Sequence, residues 1–487
     1  MALPIDVPSS LEDMTSQDFR RNGHDLPVPF RIRLLRDGVP VNVVCDELFR
    51  VLPGKRVVVR AVLDSAPVLL KLFLGPRARR YREREARGLA ALSSCGVAAP
   101  GVVASGALAD GGGEWLALVF IEDARALKEH DLADATLLEG VMAALAKLHD
   151  RGVTQDDLHL GNFLLTAARL YAIDGDAVRA NGRRTLDRNR SLENLALFFA
   201  QFSPRNDHRV REACRVYAGA RGWLAERIDP DEVMPLLTRA RERRVQRYLR
   251  KTLRECTEFH CERRFFRFLV CERDALAAGL GTLLDDLDGH IARGRTLKAG
   301  RTATVTEVAF AGGTFVVKRY NIKSLGHAVS RLFRPSRAHR AWQNAHRLRF
   351  LGVSDALPRA LVERRVGALR REAYLVMGKV EGRDLLSLVG SAGECSDEVV
   401  GAVRRIFADL EHLGLVHRDT KASNFIVGPR GVTLIDLDAM RRPSGRARFE
   451  RMFAADVERF LCNFAALPRV EARFREALER LQPPTNS

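Results

Sequence analysis

The 487-residue sequence has no long apolar run and no paired cysteine motif. No stretch approaches the ~18 apolar residues that a membrane-spanning helix needs, and the first residues lack the basic-then-apolar pattern of a secretory signal. Three of the 8 cysteines, Cys256, Cys261 and Cys271, lie near His260 without the spacing of a zinc site. We therefore expect reduced, buried thiols and a cytosolic protein.

Acidic residues are in deficit, because 61 Asp and Glu stand against 79 Lys and Arg, giving a formal net charge of +18. This charge favours an anionic partner such as nucleic acid, a membrane surface or a phosphorylated substrate. Basic residues concentrate in Arg77–Arg84, Arg241–Arg254 and Arg331–Arg340. These stretches are typical either of solvated helix faces or of docking sites for anionic lipid or glycolipid. Since no nucleic-acid motif accompanies them, we expect no nucleic-acid partner.

The hydrophobic pattern is laid out twice along the chain. Short apolar runs separated by Gly and Pro between Arg31 and Phe73 predict a small antiparallel sheet, and helical periodicity follows. The same order restarts near Thr302. The pattern predicts an α+β protein with a flexible leader at 1–27, one domain at 28–254 and a second at 255–487.

Two polar motifs recur, one in each half. In each, an Asp is followed by an Asn five residues later and by another Asp seventeen residues later. These residues are Asp157, Asn162 and Asp174 in the first half and Asp419, Asn424 and Asp436 in the second. This is the arrangement of a kinase catalytic loop and its metal-binding Asp. The recurrence predicts two tandem protein-kinase-like domains, each a small antiparallel-sheet N-lobe and a helical C-lobe.

Phosphoryl transfer gives each residue type a role. Asp157 and Asp419 are the candidate bases that orient the hydroxyl nucleophile, and Lys421 can neutralise charge on the moving phosphoryl group. Lys71 and Lys318, at strand ends, can contact the ATP phosphates. Carboxylate and amide oxygens suit Mg²⁺, so the candidate metal ligands are Asn162, Asp174, Asp176, Asn424, Asp436 and Asp438.

Each motif alone has an ordinary structural explanation. A lysine at a strand end is typical of a solvated edge, and Ile-Asp-Gly-Asp is typical of a turn. The joint recurrence in one order favours the functional interpretation. The segment Arg301–Thr304 is the candidate cover for the phosphates, although it makes a poor glycine-rich loop.

The two halves differ at three positions. Lys71 has a candidate ion-pair partner in Glu85 on the next helix, whereas aligning the halves places Ala341 at the equivalent position. The first loop has Gln155 where the second has His417. It also has His159 in place of the second loop's lysine. We expect the second half to be the active one because its His-Arg-Asp-x-Lys-x-x-Asn motif is complete.

These motifs resemble those of the bacterial lipopolysaccharide core kinases, the heptose and Kdo kinase relatives sometimes called the InaA-like family. The resemblance is carried by Thr154–Leu165, His417–Val427 and Ser336–Val353, and the Asp-Phe-Gly and Ala-Pro-Glu signatures of protein kinases are missing. It implies Mg-ATP and a heptose or Kdo hydroxyl of the lipopolysaccharide inner core as acceptor. It also implies a cytoplasmic protein bound peripherally to the anionic inner-membrane surface.

Two other functions are compatible with the same motifs. A kinase fold can serve a small-molecule or protein kinase with a different acceptor. It can also serve a non-catalytic pseudokinase scaffold in envelope biogenesis, since a fold does not prove an activity.

Overall fold

The computed structural model describes residues 11–23, 26–180, 182, 184–223, 228–300, 302–311, 313–321, 335–354, 358–367, 369–479 and 481. The chain forms two compact units. The first comprises Met1–Phe202 and His208–Arg241, and the second comprises Ser203–Asp207 and Glu242–Ser487. The leader expected at 1–27, the cover segment Arg301–Thr304 and the basic stretch Arg331–Arg340 lie partly outside the described residues.

The first unit begins with a seven-stranded sheet. Its strands are β1 (Asp13–Met14), β2 (Phe30–Arg36), β3 (Val39–Leu52), β4 (Arg56–Leu63), β5 (Ala66–Leu74), β6 (Val102–Ala107) and β7 (Gly113–Val119). Their spatial order is β1-β2-β3-β4-β5-β7-β6, and all neighbours except β1 and β2 are antiparallel. Alternate residues of β4 are buried, as expected for a sheet with one face on the core.

Helices and short strands complete the first unit. The helices are α1 (Ser16–Arg21), α2 (Ala78–Ser94), α3 (Ala135–Asp150), α4 (Arg188–Phe199), α5 (His208–Ala220) and α6 (Pro230–Lys251), the last of which begins in the first unit and ends in the second. The short strands are β8 (Arg125–Ala126), β9 (Val153–Gln155), β10 (Phe163–Leu165), β11 (Leu170–Ala172) and β12 (Val178–Ala180). Helix α3 begins where the Asp134 carboxylate accepts hydrogen bonds from the backbone of Thr136 and Leu137. The apolar face of α3 packs into the helical core of the first unit.

The second unit repeats this plan. Its sheet contains β13 (Phe259–Arg263), β14 (Arg267–Glu272), β15 (Arg295–Ala299), β16 (Ala303–Phe310), β17 (Gly313–Tyr320), β18 (Pro358–Val366) and β19 (Leu369–Gly378). The spatial order is β13-β14-β18-β19-β17-β16-β15, with every pair antiparallel. A smaller sheet contains β20 (Arg383–Asp384), β21 (Phe425–Gly428) and β22 (Gly431–Leu434).

The second unit has three short helices before strand β15 and further helices after strand β17. They are α7 (Arg273–Ala275), α8 (Gly281–Asp285), α9 (Leu287–Arg293), α10 (Arg337–Phe350), α11 (Leu385–Ala392), α12 (Asp397–His412), α13 (Arg446–Leu461) and α14 (Pro468–Glu479). Phe407, Phe425, Phe460 and Phe474 form the centre of its helical core. Helix α12 begins at a Ser396 cap, where the hydroxyl accepts from the backbone of Val399.

Each unit therefore has an antiparallel sheet followed by helices, which confirms the α+β prediction. Two segments differ from the sequence expectation. Residues expected to form a loose leader include β1 and α1, and Phe19 on α1 is fully buried. The segment 259–293 adds β13, β14 and three short helices, for which no pattern had been assigned.

All eight cysteines are free thiols, and Cys271 is among the buried ones. Burial raises the pKa of the Cys271 thiol to about 12. None of the helices in the described part of the chain combines the length and hydropathy that crossing a bilayer would require.

Candidate functional site

Both catalytic loops are closed by the same side-chain hydrogen bond. The Asn162 amide nitrogen donates to the backbone oxygen of Asp157 over 2.8 Å, and Asn424 donates to Asp419 over the same distance. The nitrogen of each amide is thus occupied in holding the loop, and its oxygen is the atom with metal-binding chemistry. The five-residue spacing seen in the sequence is the length of this closed loop.

A second shared bond joins each loop to the segment carrying the next Asp. The backbone nitrogen of Ile173 donates to Asn162, and that of Ile435 donates to Asn424. Asp174 and Asp436 then adopt left-handed backbone conformations, with φ of 68° and 60°. Such values are uncommon for residues other than glycine and cluster at functional sites. The structure therefore brings the predicted Asp–Asn–Asp set together in each unit.

Gln155 takes over the contact made by the loop histidine. In the second unit, Nε2 of buried His417 lies 3.1 Å from the backbone oxygen of Ile435 and donates to it. In the first unit, the Gln155 amide donates to the backbone oxygens of Ile173 and Asp174, each over 3.1 Å. The substitution that had counted against the first loop therefore preserves the backbone contact.

Two further residues support the catalytic loops through hydrogen bonds to the loop backbone, and neither of them was identified from the sequence. Asp456 on α13 accepts hydrogen bonds from the backbone nitrogens of His417 and Arg418. Asn194 on α4 donates to the backbone oxygen of Gln155 over 3.0 Å. Each lies 39 residues after the loop residue that it supports. Comparing the two halves for shared offsets beyond the second Asp would have revealed both.

The first unit extends this support through a buried polar chain. The ring of His149 lies 3.0 Å from the Asn194 side-chain oxygen and 2.7 Å from the Tyr217 hydroxyl. Burial lowers the pKa of His149 to about 4, so the ring is neutral at physiological pH. Arg221 donates to the Tyr217 hydroxyl over 2.7 Å and forms an ion pair with Asp150. These hydrogen bonds and the ion pair fix α4 against the catalytic loop.

The lysine of the first unit has the partner that the sequence predicted. Lys71 Nζ on β5 lies 2.5 Å from Oε1 of Glu85 on α2, and the glutamate is fully buried. The same carboxylate accepts hydrogen bonds from the backbone nitrogens of Gly175 and Asp176, over 3.2 and 3.1 Å. Glu85 thus connects the lysine, the helix and the segment that carries Asp174.

Because Glu85 neutralises Lys71, Asp174 keeps a coordinating oxygen. Its Oδ1 is buried and accepts no hydrogen bond from any described residue. A buried carboxylate oxygen of this kind needs a cation or a donor, and carboxylate and amide oxygens such as those of Asp174 and Asn162 are of the type that Mg²⁺ prefers. The described residues contain no group of three or more His, Cys, Asp or Glu side chains placed around a metal. The remaining ligands would be nucleotide phosphates and water.

Asp176 does not fit the metal-ligand role predicted for it. Its carboxylate forms an ion pair with Arg56 over 3.1 Å and another with Arg84. Burial acts to raise its pKa, but the hydrogen bond from Arg84 and the charge of Arg56 outweigh burial and lower it. The residue therefore ties β4 and α2 to the segment after Asp174.

The lysine of the second unit is bound differently. Lys318 Nζ on β17 lies 2.5 Å from Oδ1 of Asp436 and 3.3 Å from Oδ2 of Asp438. Asp438 also forms an ion pair with Arg337 over 2.9 Å. Burial acts to raise the pKa of Asp436, but the ammonium of Lys318 more than offsets it and lowers the pKa. Both carboxylates predicted as metal ligands are thus already bound to cations.

The cause lies on helix α10. Ala341 occupies the position of Glu85 and is buried, so the helix offers Lys318 no carboxylate. A buried ammonium needs a counter-charge, and the nearest carboxylates are those of the predicted metal site. In this arrangement Lys318 occupies Oδ1 of Asp436, and its positive charge opposes Mg²⁺ binding at the same carboxylate.

The two helices also contact the metal-site segment in different ways. A Cβ built on Gly88 of α2 would overlap the carbonyl oxygen of Gly175, so only glycine permits this packing. Three residues after Ala341, Asn344 instead donates to the backbone oxygens of Leu437 and Met440, over 2.8 and 2.9 Å. The close packing at Gly88 and the hydrogen bonds of Asn344 are two different ways of joining the helix to the segment, and both repeats retain the same fold.

The two candidate bases are accessible from solvent. The Asp157 side chain is 55% exposed and lies 3.9 Å from His159 Nε2. The Asp419 side chain is 33% exposed, and Lys421 Nζ lies 3.1 Å from its Oδ1. Either carboxylate can therefore be reached by an acceptor hydroxyl, and each has a basic or titratable neighbour two residues later.

One protein family matches most of the chain. The chain matches the Lipopolysaccharide kinase (Kdo/WaaP) family over residues 74–214 and 293–477, two segments that suggest a duplication. Among solved structures, one described as "WaaP in complex with acyl carrier protein" shares 19% identity, covering 41% of this chain and 88% of that chain, with a TM-score of 0.30. No curated protein matches the chain.

The family match covers more than half of the sequence and includes Asp157, Asp174, Asp419 and Asp436. It confirms the resemblance inferred from the two catalytic-loop motifs. The family implies phosphotransferase activity and the use of ATP. The chain belongs to the lipopolysaccharide kinase (Kdo/WaaP) family.

Proposed function

We propose that this protein is an ATP-dependent kinase that phosphorylates a heptose or Kdo hydroxyl of the lipopolysaccharide inner core, and that its first unit performs the transfer. The acceptor class is inferred from the family, and the choice of unit from the ion pairs. The reaction would take place at the cytoplasmic face of the inner membrane, where a core glycolipid is accessible before export.

The partner of the lysine differs between the two units, and this difference is the reason for proposing the first unit as the active one. In the first unit Lys71 is paired with Glu85, and Asp174 Oδ1 has no described partner. In the second unit Lys318 is paired with Asp436. A phosphate-binding lysine and a metal-binding carboxylate are both needed for phosphoryl transfer. The geometry supports their simultaneous availability only in the first unit, contrary to our preference for the second from its loop motif.

The proposed mechanism uses four side chains of the first unit. Lys71, fixed by Glu85, would contact the ATP phosphates. Asn162 and Asp174 would hold Mg²⁺, which when bound neutralises phosphate charge. Asp157 would orient the acceptor hydroxyl and take its proton while the hydroxyl oxygen bonds to the γ-phosphorus. The bond from that phosphorus to the bridging oxygen breaks, and ADP leaves.

The second unit fits a non-catalytic role in the same protein. Its loop is closed, its helices are packed, and its lysine is satisfied without nucleotide, as expected of a pseudokinase-like unit that retains the fold. A scaffold lacking activity altogether, or a kinase with a small-molecule or protein acceptor, remains the alternative to the proposed core kinase.

The decisive experiment compares two matched variants of the full-length protein. Label from ATP should reach dephosphorylated lipopolysaccharide core with the wild type. Asp157→Asn should reduce the rate by about 10²–10⁴-fold, the usual contribution of a general base. Asp419→Asn, the same change in the second unit, should leave the rate within about threefold of wild type.

Three results would contradict parts of the proposal. If Asp419→Asn abolishes transfer and Asp157→Asn does not, the second unit is the active one. If the wild type binds ATP but labels only a protein or a small sugar, the acceptor class is wrong. If it binds ATP and labels nothing, a scaffold function is favoured.

A gain-of-function variant tests why the second unit differs. In a first unit silenced by Asp174→Asn, Ala341→Glu should give Lys318 a helix carboxylate and release Asp436. Calorimetry should then detect Mg²⁺-dependent ATP binding that the Asp174→Asn parent lacks. The matched control is Ala341→Gln, which has similar size but no charge, and it should not restore binding. Equal binding by both variants would refute the ion-pair explanation.

A further inference from the structure

Some arginines of two basic stretches noted in the sequence take part in contacts within the fold. In Arg77–Arg84, Arg79 pairs with Glu83, Arg82 with Glu114, and Arg84 with a carboxylate of the site. In Arg241–Arg254, Arg241 is buried. These contacts assign a structural role to some arginines of each stretch, whereas Arg77, Arg80, Arg243 and Arg250 are exposed.

The hairpin between β13 and β14 presents an unusual loop. The backbone nitrogen of Arg264 donates to Arg267, and that of Arg267 donates back to Arg264. This reciprocal pair closes a two-residue loop made of Phe265 and Phe266. Two-residue hairpin loops favour Gly, Asn or Asp, whose backbones suit the turn. Two phenylalanines therefore serve no evident need of the turn itself.

Both aromatic side chains point away from the core. Phe265 is 61% exposed and Phe266 is 67% exposed, the two highest values among the exposed phenylalanines of the described residues. Their rings contact each other edge to face, with centroids 4.8 Å apart. Val366 on the neighbouring strand is also exposed. Together they form an apolar tip, called here the Phe–Phe loop. Exposing apolar surface to water is unfavourable, and an exposed apolar patch indicates an interaction site.

The Phe–Phe loop is held rigidly outward. The backbone nitrogen of Arg365 donates to the oxygen of Phe266 over 2.9 Å, and Gly367 donates to the oxygen of Phe265 over 3.0 Å. The adjacent strand thus satisfies the loop carbonyls. The loop backbone is therefore ordered by hydrogen bonds before any partner binds.

Arginines surround this apolar tip. Arg263 and Arg264 precede it and are exposed, and half-buried Arg267 follows it and forms an ion pair with Asp285 over 3.3 Å. Arg264 forms an ion pair with Glu262 over 3.0 Å, whereas Arg263 donates to the backbone oxygen of Leu253, so its positive charge is not paired with a carboxylate among the described residues. An apolar tip in a cationic rim is complementary to an anionic bilayer, whose phosphates lie directly outside an apolar layer.

We propose that the Phe–Phe loop is a membrane-docking element that inserts its two rings into an anionic lipid surface while the flanking arginines contact lipid phosphates. The element belongs to the second unit and does not depend on phosphoryl transfer. Vesicle binding should therefore be unchanged by Asp157→Asn, which separates a failure of this proposal from a failure of the kinase assignment.

Co-sedimentation of full-length protein with vesicles tests the proposal. Binding to phosphatidylcholine vesicles that contain phosphatidylglycerol should exceed binding to pure phosphatidylcholine. The double variant Phe265→Ser with Phe266→Ser should lower partitioning about tenfold or more, because each ring loses apolar burial. Phe49→Ser, which removes another exposed phenylalanine in the first unit, is the matched control and should bind normally.

A second variant separates charge from apolar insertion. Arg263→Glu with Arg264→Glu should remove the preference for phosphatidylglycerol, and added salt should weaken wild-type binding. Binding that is unaffected by the serine changes would overturn the proposal. It would also be overturned if the wild type forms dimers by ultracentrifugation and the serine variant is monomeric, because the loop would then bind a second copy of the chain.

Discussion

The buried pair of Lys71 and Glu85 should behave as a strongly coupled unit. Lys71→Met leaves the Glu85 carboxylate fully buried with two backbone donors but no counter-charge. Removing one partner of a buried ion pair typically costs about 3–5 kcal/mol. The double variant Lys71→Met with Glu85→Gln removes both charges and keeps an amide oxygen for the backbone donors. We expect it to recover most of the loss, leaving about 1–2 kcal/mol.

Denaturant unfolding of the full-length protein would measure the loss in the free energy of unfolding, as a shift of the unfolding transition of each variant relative to wild type. Lys318→Met is the matched control in the second unit. It should cost less, because the Asp436 side chain is 25% exposed and Asp438 keeps its ion pair with Arg337. The reasoning is refuted if the losses from Lys71→Met and Glu85→Gln simply add in the double variant, because uncoupled residues behave in that way.

Three further predictions concern the first unit. Because the folded pKa of His149 is about 4, the unfolded chain binds a proton that the folded chain lacks below pH 6.5. Stability should fall by up to about 3 kcal/mol between pH 6.5 and 4, and His149→Gln should flatten this slope in pH-dependent melts. Gln155→His should keep activity within about threefold, whereas Gln155→Leu leaves carbonyls without donors and should cost about 1–3 kcal/mol in unfolding assays. Gly88→Ala should lower the free energy of unfolding by about 1–3 kcal/mol and remove most transfer activity, because the added Cβ overlaps Gly175. The control is Gly140→Ala, where a Cβ meets nothing within 4 Å, and this variant should be neutral or stabilising. Equal effects of the two changes would refute the packing argument.

Local spacing predicted much of the site. The five-residue interval from Asp157 to Asn162 is one closed loop, set by a single side-chain bond. Lys71 was predicted to pair with Glu85 on the following helix, and the ion pair forms although Lys71 lies inside strand β5 rather than at the strand end expected from the sequence. Contacts of this kind are within the reach of sequence reasoning, because the backbone between the residues is short and regular.

Contacts between distant segments were not predicted. The partner of Lys318 lies 118 residues away, at Asp436, and the choice among nearby carboxylates depends on three-dimensional distance and burial. Asn194 and Asp456 were also missed, since a lone polar residue on a helix has no local signature. The strands β13 and β14 escaped notice because Arg and Phe alternate irregularly there and mask the period of two.

The contrast between the units follows from one electrostatic requirement. A lysine buried beside a phosphate site must have a carboxylate partner before nucleotide binds, because an unpaired ammonium in the interior is costly. In the first unit that carboxylate comes from helix α2, so the carboxylate that completes the metal site stays available. In the second unit the helix offers Ala341, and the lysine takes the metal-site carboxylate instead. Under the proposed mechanism, lysine neutralisation and metal binding then compete for Asp436, so the residue at this one helix position would decide whether both functions coexist. The loop motif, complete in the second unit, carries no information about this competition.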